Sequence, residues 1–128
     1  MSLRRSKKFL NNVLRHSEGV PLTRFMGGRG RHAQANGGAS STNICSFPTK
    51  SVYTMLKILR NAEANAKTKG LDTANLYLSH CQCNRAPPVR RRTFRAHGRI
   101  GPYQAHPSHI EVILSEKPKI TSKPEPKE

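Results

Sequence analysis

Tryptophan is absent from these 128 residues, and aromatic side chains make up only 5% of them. With 34% hydrophobic residues, the chain can build one small domain with a core that is thin for its length, and no second one. Acids are also scarce: seven Asp and Glu stand against 23 Lys and Arg, a formal net charge of +16. None lies between Glu18 and Glu63, and none between Asp72 and Glu111. So much positive charge repels itself in a compact free monomer. Two long acid-free zones read as surfaces for phosphate, which makes nucleic acid the leading partner. The bland alternative is a solvated basic surface, but solubility needs far less charge than this.

No apolar run approaches eighteen residues, so neither a transmembrane helix nor membrane insertion is expected. The opening MSLRRSKKFL lacks the apolar segment of a secretory signal, and its basic, hydroxyl-bearing character only faintly suggests a mitochondrial presequence. Three cysteines, an odd number, make no disulfide framework. A reducing, cytoplasmic setting is the default.

What is present begins with an apolar stripe. Leu3, Leu10, Val13 and Leu14, with Phe9 beside them, recur at helical spacing through residues 2–15 and predict an amphipathic helix closed by Gly19. Arg4, Arg5, Lys7, Lys8 and Arg15 form its basic back. A membrane-surface helix would look similar, but further basic segments follow, which favours RNA. Residues 20–35, VPLTRFMGGRGRHAQA, read as a glycine-punctuated basic loop. Gly27, Gly28 and Gly30 admit close backbone approach, with Arg24, Arg29 and Arg31 alongside. No Gly-Lys-Ser/Thr follows, so it is not a Walker loop. Residues 36–46, NGGASSTNICS, are small and nearly uncharged and read as flexible loop.

Pro48 suits the first turn of a second helix, with Ser46 or Phe47 as cap and Gly70 as terminator. Val52, Met55, Leu56, Leu59, Ala62 and Ala66 form its apolar face, which Tyr53 and Ile58 widen; Met and Tyr here read as core. Lys50, Lys57, Arg60 and Lys67 take the other side. Residues 76–83 then alternate, with Leu76, Leu78, His80 and Gln82 on one face and Tyr77, Ser79, Cys81 and Cys83 on the other. Residues 109–114, rich in β-branched side chains, predict the antiparallel partner strand. From Glu116 onward, EKPKITSKPEPKE predicts a disordered or RNA-draped tail, so one domain is expected over residues 1–115 and a tail over 116–128.

Cys81-x-Cys83 with His80 invites zinc, but structural sites need a second ligand pair at suitable spacing, which only Cys45 and a distant histidine offer. The cysteines read as core residues of a strand, and no metal or other cofactor is expected. A ribonuclease-like pair of His97 and His109 fails on geometry, since the two would lie at opposite ends of one segment. No catalytic constellation is expected.

That segment is residues 86–109, APPVRRRTFRAHGRIGPYQAHPSH. It carries Arg90, Arg91, Arg92, Arg95 and Arg99 and no acid. Pro87, Pro88, Pro102 and Pro107 exclude a helix through it. A two-armed extension fits, leaving one strand and returning into the next, with a reach on the order of 35 Å. Gly98 permits its reversal. Its guanidinium groups fork onto phosphates, and Phe94 and Tyr103 offer rings to exposed bases. Such a limb buries little of its own surface and needs a polyanion to hold it.

At LKILRNAEANAKTKGLD, NRAPPVRRRTFRAHGRIGPYQAHPSHIEVIL and VPLTRFMGGRGRHAQA the sequence resembles the universal large-subunit ribosomal protein twenty-two family, called seventeen in eukaryotes. The wording RTFRAHGRI and PSHIE and the lysine-proline tail resemble the eukaryotic or archaeal branch, the eukaryotic more closely. The resemblance implies an α+β fold: a small antiparallel sheet with packed helices and a long extended β-hairpin. It implies a structural constituent of the cytoplasmic ribosome, bound to large-subunit rRNA and to neighbouring large-subunit proteins. The hairpin tip would line the exit tunnel and face the nascent polypeptide. Carried over by position, Val89, Arg90, Arg91, Arg95, Ala96, His97, Gly98, Arg99 and Ile100 fall at or near that tip, and Lys50, Arg85 and Arg92 contact rRNA. Arg4, Arg5, Lys7, Lys8, Arg24, Arg29 and Arg31 complete the expected rRNA-binding set. A free RNA-binding or RNA-chaperone protein outside the ribosome is the alternative. Two departures stand out. The family ordinarily opens with a strand and a helix ahead of the helix matched by Leu3–Leu14, so the sheet is expected to be one strand short with an uncovered edge. Residues 36–47 also replace a tryptophan-rich stretch.

Overall fold

The computed structural model describes residues 1–35 and 43–117. Helix α1 spans Leu3–Leu14, and Ser2 caps it by accepting a hydrogen bond from the Arg5 amide. Its buried residues are Leu3, Ser6 and Val13, with Phe9, Leu10 and Leu14 packed alongside. Ser6 is tolerated there because its hydroxyl donates to the Ser2 carbonyl at 3.0 Å, and no buried side-chain polar atom among the described residues lacks a partner.

Gly19 does not close α1. The helix ends five residues earlier, where His16 takes the left-handed conformation (φ 59°). The His16 and Ser17 amides donate to the carbonyls of Val13 and Asn12, the double bond of a Schellman cap. Gly19 serves packing instead: a Cβ there would stand 2.3 Å from the Cys45 sulfur.

The stretch expected to be loop up to Ser46 is strand at its end. Strand β1 (Val20–Pro21) pairs antiparallel with β2 (Cys45–Ser46). The ladder continues through Leu22 N–H to the Ile44 carbonyl and His32 N–H to the Asn43 carbonyl. Residues 36–42, the first part of the expected flexible loop, fall outside the described residues.

Helix α2 spans Thr49–Thr68. Its N-cap is Pro48 itself, whose carbonyl accepts the first helical bond from Val52, rather than Ser46 or Phe47. Gly70 ends it as expected: at φ 74° its amide and that of Leu71 donate to Lys67 and Ala66, a second Schellman cap with glycine in the left-handed place. Val52, Leu56, Leu59 and Ala66 are buried. Tyr53 is exposed, contrary to its reading as core. It sits roughly 100° around the helix from the centre of that stripe, beyond what a neighbouring layer covers.

Strand β3 (Leu76–Arg85) pairs antiparallel with β6 (Ser108–Glu116), whose last residue is the first of the expected tail. Residues 118–128 lie outside the described residues. Between Leu78 and His80 the register slips by one residue, a bulge at Ser79 that inverts the alternation beyond it. Leu78 pairs with Leu114, whereas Cys81 pairs with Val112 and Cys83 with Ile110. The two cysteines thus join the helix-facing side of the sheet, and His80 and Gln82 leave it. Both thiols are nevertheless exposed, because the packed core ends before them. This corrects the expected faces and the expected burial.

The core has two parts. Leu3, Leu59, Ala66 and Leu76 form one with Leu78, Val112 and Leu114; Val13, Val52 and Leu56 form the other with Phe9, Val20 and Phe47. Leu10 packs against both. Helices on small antiparallel sheets make this an α+β fold, as expected. The outer edge of β3 is met at its start by the chain's own first residues. Ser2 bridges Tyr77, and Leu78 N–H donates to the Met1 carbonyl at 2.8 Å.

Candidate nucleic-acid interface

Beyond the β3–β6 ladder the two arms stay paired, but in short pieces. Ala86 N–H donates to the Pro107 carbonyl, Val89 exchanges hydrogen bonds with Ala105, and Tyr103 N–H donates to Arg91. Between the Arg85–Ser108 pair and the Val89–Ala105 bridge, three residues (86–88) on one arm oppose two (106–107) on the other. The extra residue falls at Pro87-Pro88, where the chain has no N–H to give a ladder. Strand β4 (Arg92–Phe94) then pairs with β5 (Ile100–Pro102). Arg95 N–H bonds the Arg99 carbonyl at 2.8 Å, and a single 3-10 turn over Ala96–Gly98 reverses the chain. Both His97 (φ 58°) and Gly98 (φ 68°) are left-handed there. The glycine has this freedom without cost. For the histidine it costs about 1 kcal/mol.

No residue from 87 to 109 is buried. Arg90, Arg91, Arg92, Arg95 and Arg99 all lie on this limb and are exposed. Arg91 lies over the Tyr103 ring, 4.9 Å from its centroid. None of the five pairs with a carboxylate among the described residues. Phe94, Arg95, Ala96, His97 and Arg99 line a concavity at the tip, and Arg90, Arg91, Arg92 and Gln104 line another part-way down. Of the expected tip residues, Arg95, Ala96, His97, Gly98 and Arg99 are therefore brought together at the reversal. Arg90, Arg91 and Ile100 border the concavity part-way down, and Val89 sits lower still, at its bridge to Ala105. Lys50, at the start of α2, borders the groove that Cys83 and Ser108 line at the limb's root, close to Arg85. His97 and His109 occupy opposite ends of the limb, His109 being paired with Asn84.

The remaining basic candidates divide. Arg4 and Lys8 on α1 are exposed, as are Arg24, Arg29 and Arg31 on the loop after β1. Arg5 and Lys7 are engaged within the protein. Arg5 grips both oxygens of Glu18 at 3.1 Å, and Lys7 reaches Glu63 on α2. The Arg5 hydrogen bonds hold the Glu18 carboxyl below its ordinary range, and the Lys7 hydrogen bond does the same for Glu63. Lys7 is thus held between the two helices, and Arg5 against the turn that follows α1.

Sequence reasoning missed two features of this surface. Phe47 is stacked on His16 (centroids 4.4 Å apart) and edge-on to His32. Phe25 is 90% exposed and left-handed, with φ 57°. Neither belongs to a periodic pattern. The only signal for Phe25 was a ring set among arginines and glycines.

The sequence profile of ribosomal protein L22p/L17e matches residues 2–115. The chain is 52% identical over 128 residues to large ribosomal subunit protein uL22 of Ixodes scapularis, which covers all of this chain and 68% of that relative. It is 54% identical over 123 residues to the protein of that name from Maconellicoccus hirsutus, covering 96% of this chain and 65% of the relative. With the uL22 protein of Neurospora crassa it shares 51% identity over 123 residues, with the same coverage. The chain thus spans about two thirds of the length of these relatives. A profile match across nearly the whole described chain, together with a basic hairpin limb on an α+β body, means that the chain belongs to the ribosomal protein L22p/L17e family.

Proposed function

We propose that this chain is a structural, rRNA-binding component of the large ribosomal subunit in the cytoplasm. Its limb threads between rRNA segments, and its tip stands at the wall of the exit tunnel, beside the nascent polypeptide. One observation carries this reading: a limb of more than twenty residues buries nothing of its own, and its five arginines have no acidic partner among the described residues. Guanidinium groups so placed neutralise phosphates brought close together, and their fixed fork sets the orientation of each contact. The limb takes its rigidity from the RNA around it, and in return holds neighbouring RNA segments at a fixed spacing. Arg4, Lys8, Arg24, Arg29, Arg31, Lys50 and Arg85 extend the contact over the body, where neighbouring large-subunit proteins also adjoin. The names carried by the relatives support this placement. The role is positional and has no substrate.

The test is sedimentation of an epitope-tagged chain through a sucrose gradient after a high-salt wash. The wild type is expected in large-subunit and polysome fractions, and the doubly substituted Arg91→Glu, Arg95→Glu chain in the light fractions. Normal incorporation of that variant would overturn the reading.

A further inference from the structure

Phe25 is the most exposed of the large hydrophobic side chains among the described residues. Its ring makes no aromatic or cation–π contact among the described residues. Its backbone is left-handed, which for a bulky residue is a true outlier costing about 1 kcal/mol or more. Within the described chain nothing is gained in return. An unrewarded strain that points a ring into solvent suggests a contact made outside the chain.

The surroundings say of what kind. Arg24 precedes the ring, and Met26–Arg29 forms a turn (Arg29 N–H to the Met26 carbonyl, 3.2 Å) with Gly28 at φ 74°. A Cβ at Gly27 or Gly28 would meet nothing within 4 Å, so that backbone lies open to close approach. Arg24, Arg29 and Arg31 are exposed, with no ion pair among the described residues. No acid occurs from residue 19 to residue 62. An apolar pocket on a protein would reward the ring and leave three guanidinium groups beside it unpaid. A nucleotide rewards both, its base face taking the ring and its phosphates the cations. The base must be unpaired, since stacked duplex bases offer no free face.

We propose that Phe25 is a base-stacking anchor at a second RNA contact, separate from the limb, with Arg24, Arg29 and Arg31 on the flanking phosphates. It deepens the ribosomal reading and rests on it. The test has two parts. First, p-benzoyl-phenylalanine is placed at position 25 of the full chain, and salt-washed large subunits are irradiated. A crosslink to rRNA is expected; a crosslink to protein alone, or none, overturns the proposal. Second, binding of the purified full chain to protein-free large-subunit rRNA is measured across a salt series. Phe25→Leu should weaken binding about five- to a hundred-fold with the salt slope unchanged, and Phe25→Trp should retain it. Arg29→Gln should instead lower the slope by about 0.7 to 0.9. Both Phe25 variants should melt as the wild type does, because the ring is not packed. Wild-type affinity in Phe25→Leu overturns this inference while the ribosomal reading stands. A wild-type chain absent from washed subunits and without affinity for rRNA overturns both.

Discussion

Lys7 on the first helix and Glu63 on the second are joined by a charge-assisted hydrogen bond across 56 residues of sequence. Two helices that cross with a thin core between them thereby gain a polar contact that fixes how one sits against the other. Arg5 and Glu18 do the same for the turn that leaves the first helix.

These bonds make stability depend on acid. The folded chain holds both carboxyls below the ordinary value of 4.5. The unfolded chain therefore binds more protons near that pH. The stabilisation is complete above about pH 4.5 and is lost as pH falls through the lowered values. Glu63→Gln should cost less than about 1 kcal/mol at neutral pH, since the pair is partly solvated. It should also flatten the fall in stability between about pH 5 and pH 3. Denaturant midpoints measured across that range check both points.

Gly19→Ala should destabilise the body by about 1 to 3 kcal/mol. The added methyl would lie 2.3 Å from the Cys45 sulfur and 2.8 Å from its Cβ. Cys45 is buried and held in a strand, so it cannot swing away. Adding Cys45→Ala removes the nearer clash and should recover part of the loss. A thermal melt of the single and double variants decides it; a neutral Gly19→Ala would mean that this packing is wrong.

The three thiols should fall into two classes. Cys81 and Cys83 are exposed, and Cys45 is buried at 2%. A disulfide reagent added to the native chain is expected to titrate two thiols promptly and the third only with unfolding. Deleting Ser79 should restore unbroken alternation and turn residues 81 and 83 to the other face of the sheet.

Much of the body could be read in the sequence because its signals are repetitive. Leu3, Leu10 and Val13, then Val52, Leu56, Leu59 and Ala66, mark two helix faces over several turns, and the prolines exclude helix from the limb. What was not legible depends on single residues or distant partners. The bulge at Ser79 is one unpaired residue, yet it reverses every assignment outward of it. The β1–β2 pairing joins strands of two residues that are 24 apart, too short for any alternation to register. His16 took the left-handed cap expected of Gly19 because the helix ran out of buried positions after Val13. The limb's arginines were plain from composition, but Phe25 was not, since exposure of a lone ring is decided by the turn beside it.

A limb with nothing buried also separates two kinds of failure. Damage to Leu59 or Gly19 lowers folding free energy, and the chaperones and proteases that survey free chains can act on it. Damage at Arg95 or Arg99 leaves the body as well folded as before and offers those monitors nothing to detect. Such a chain persists, competes for its place, and reveals its defect only in the particle it is meant to enter.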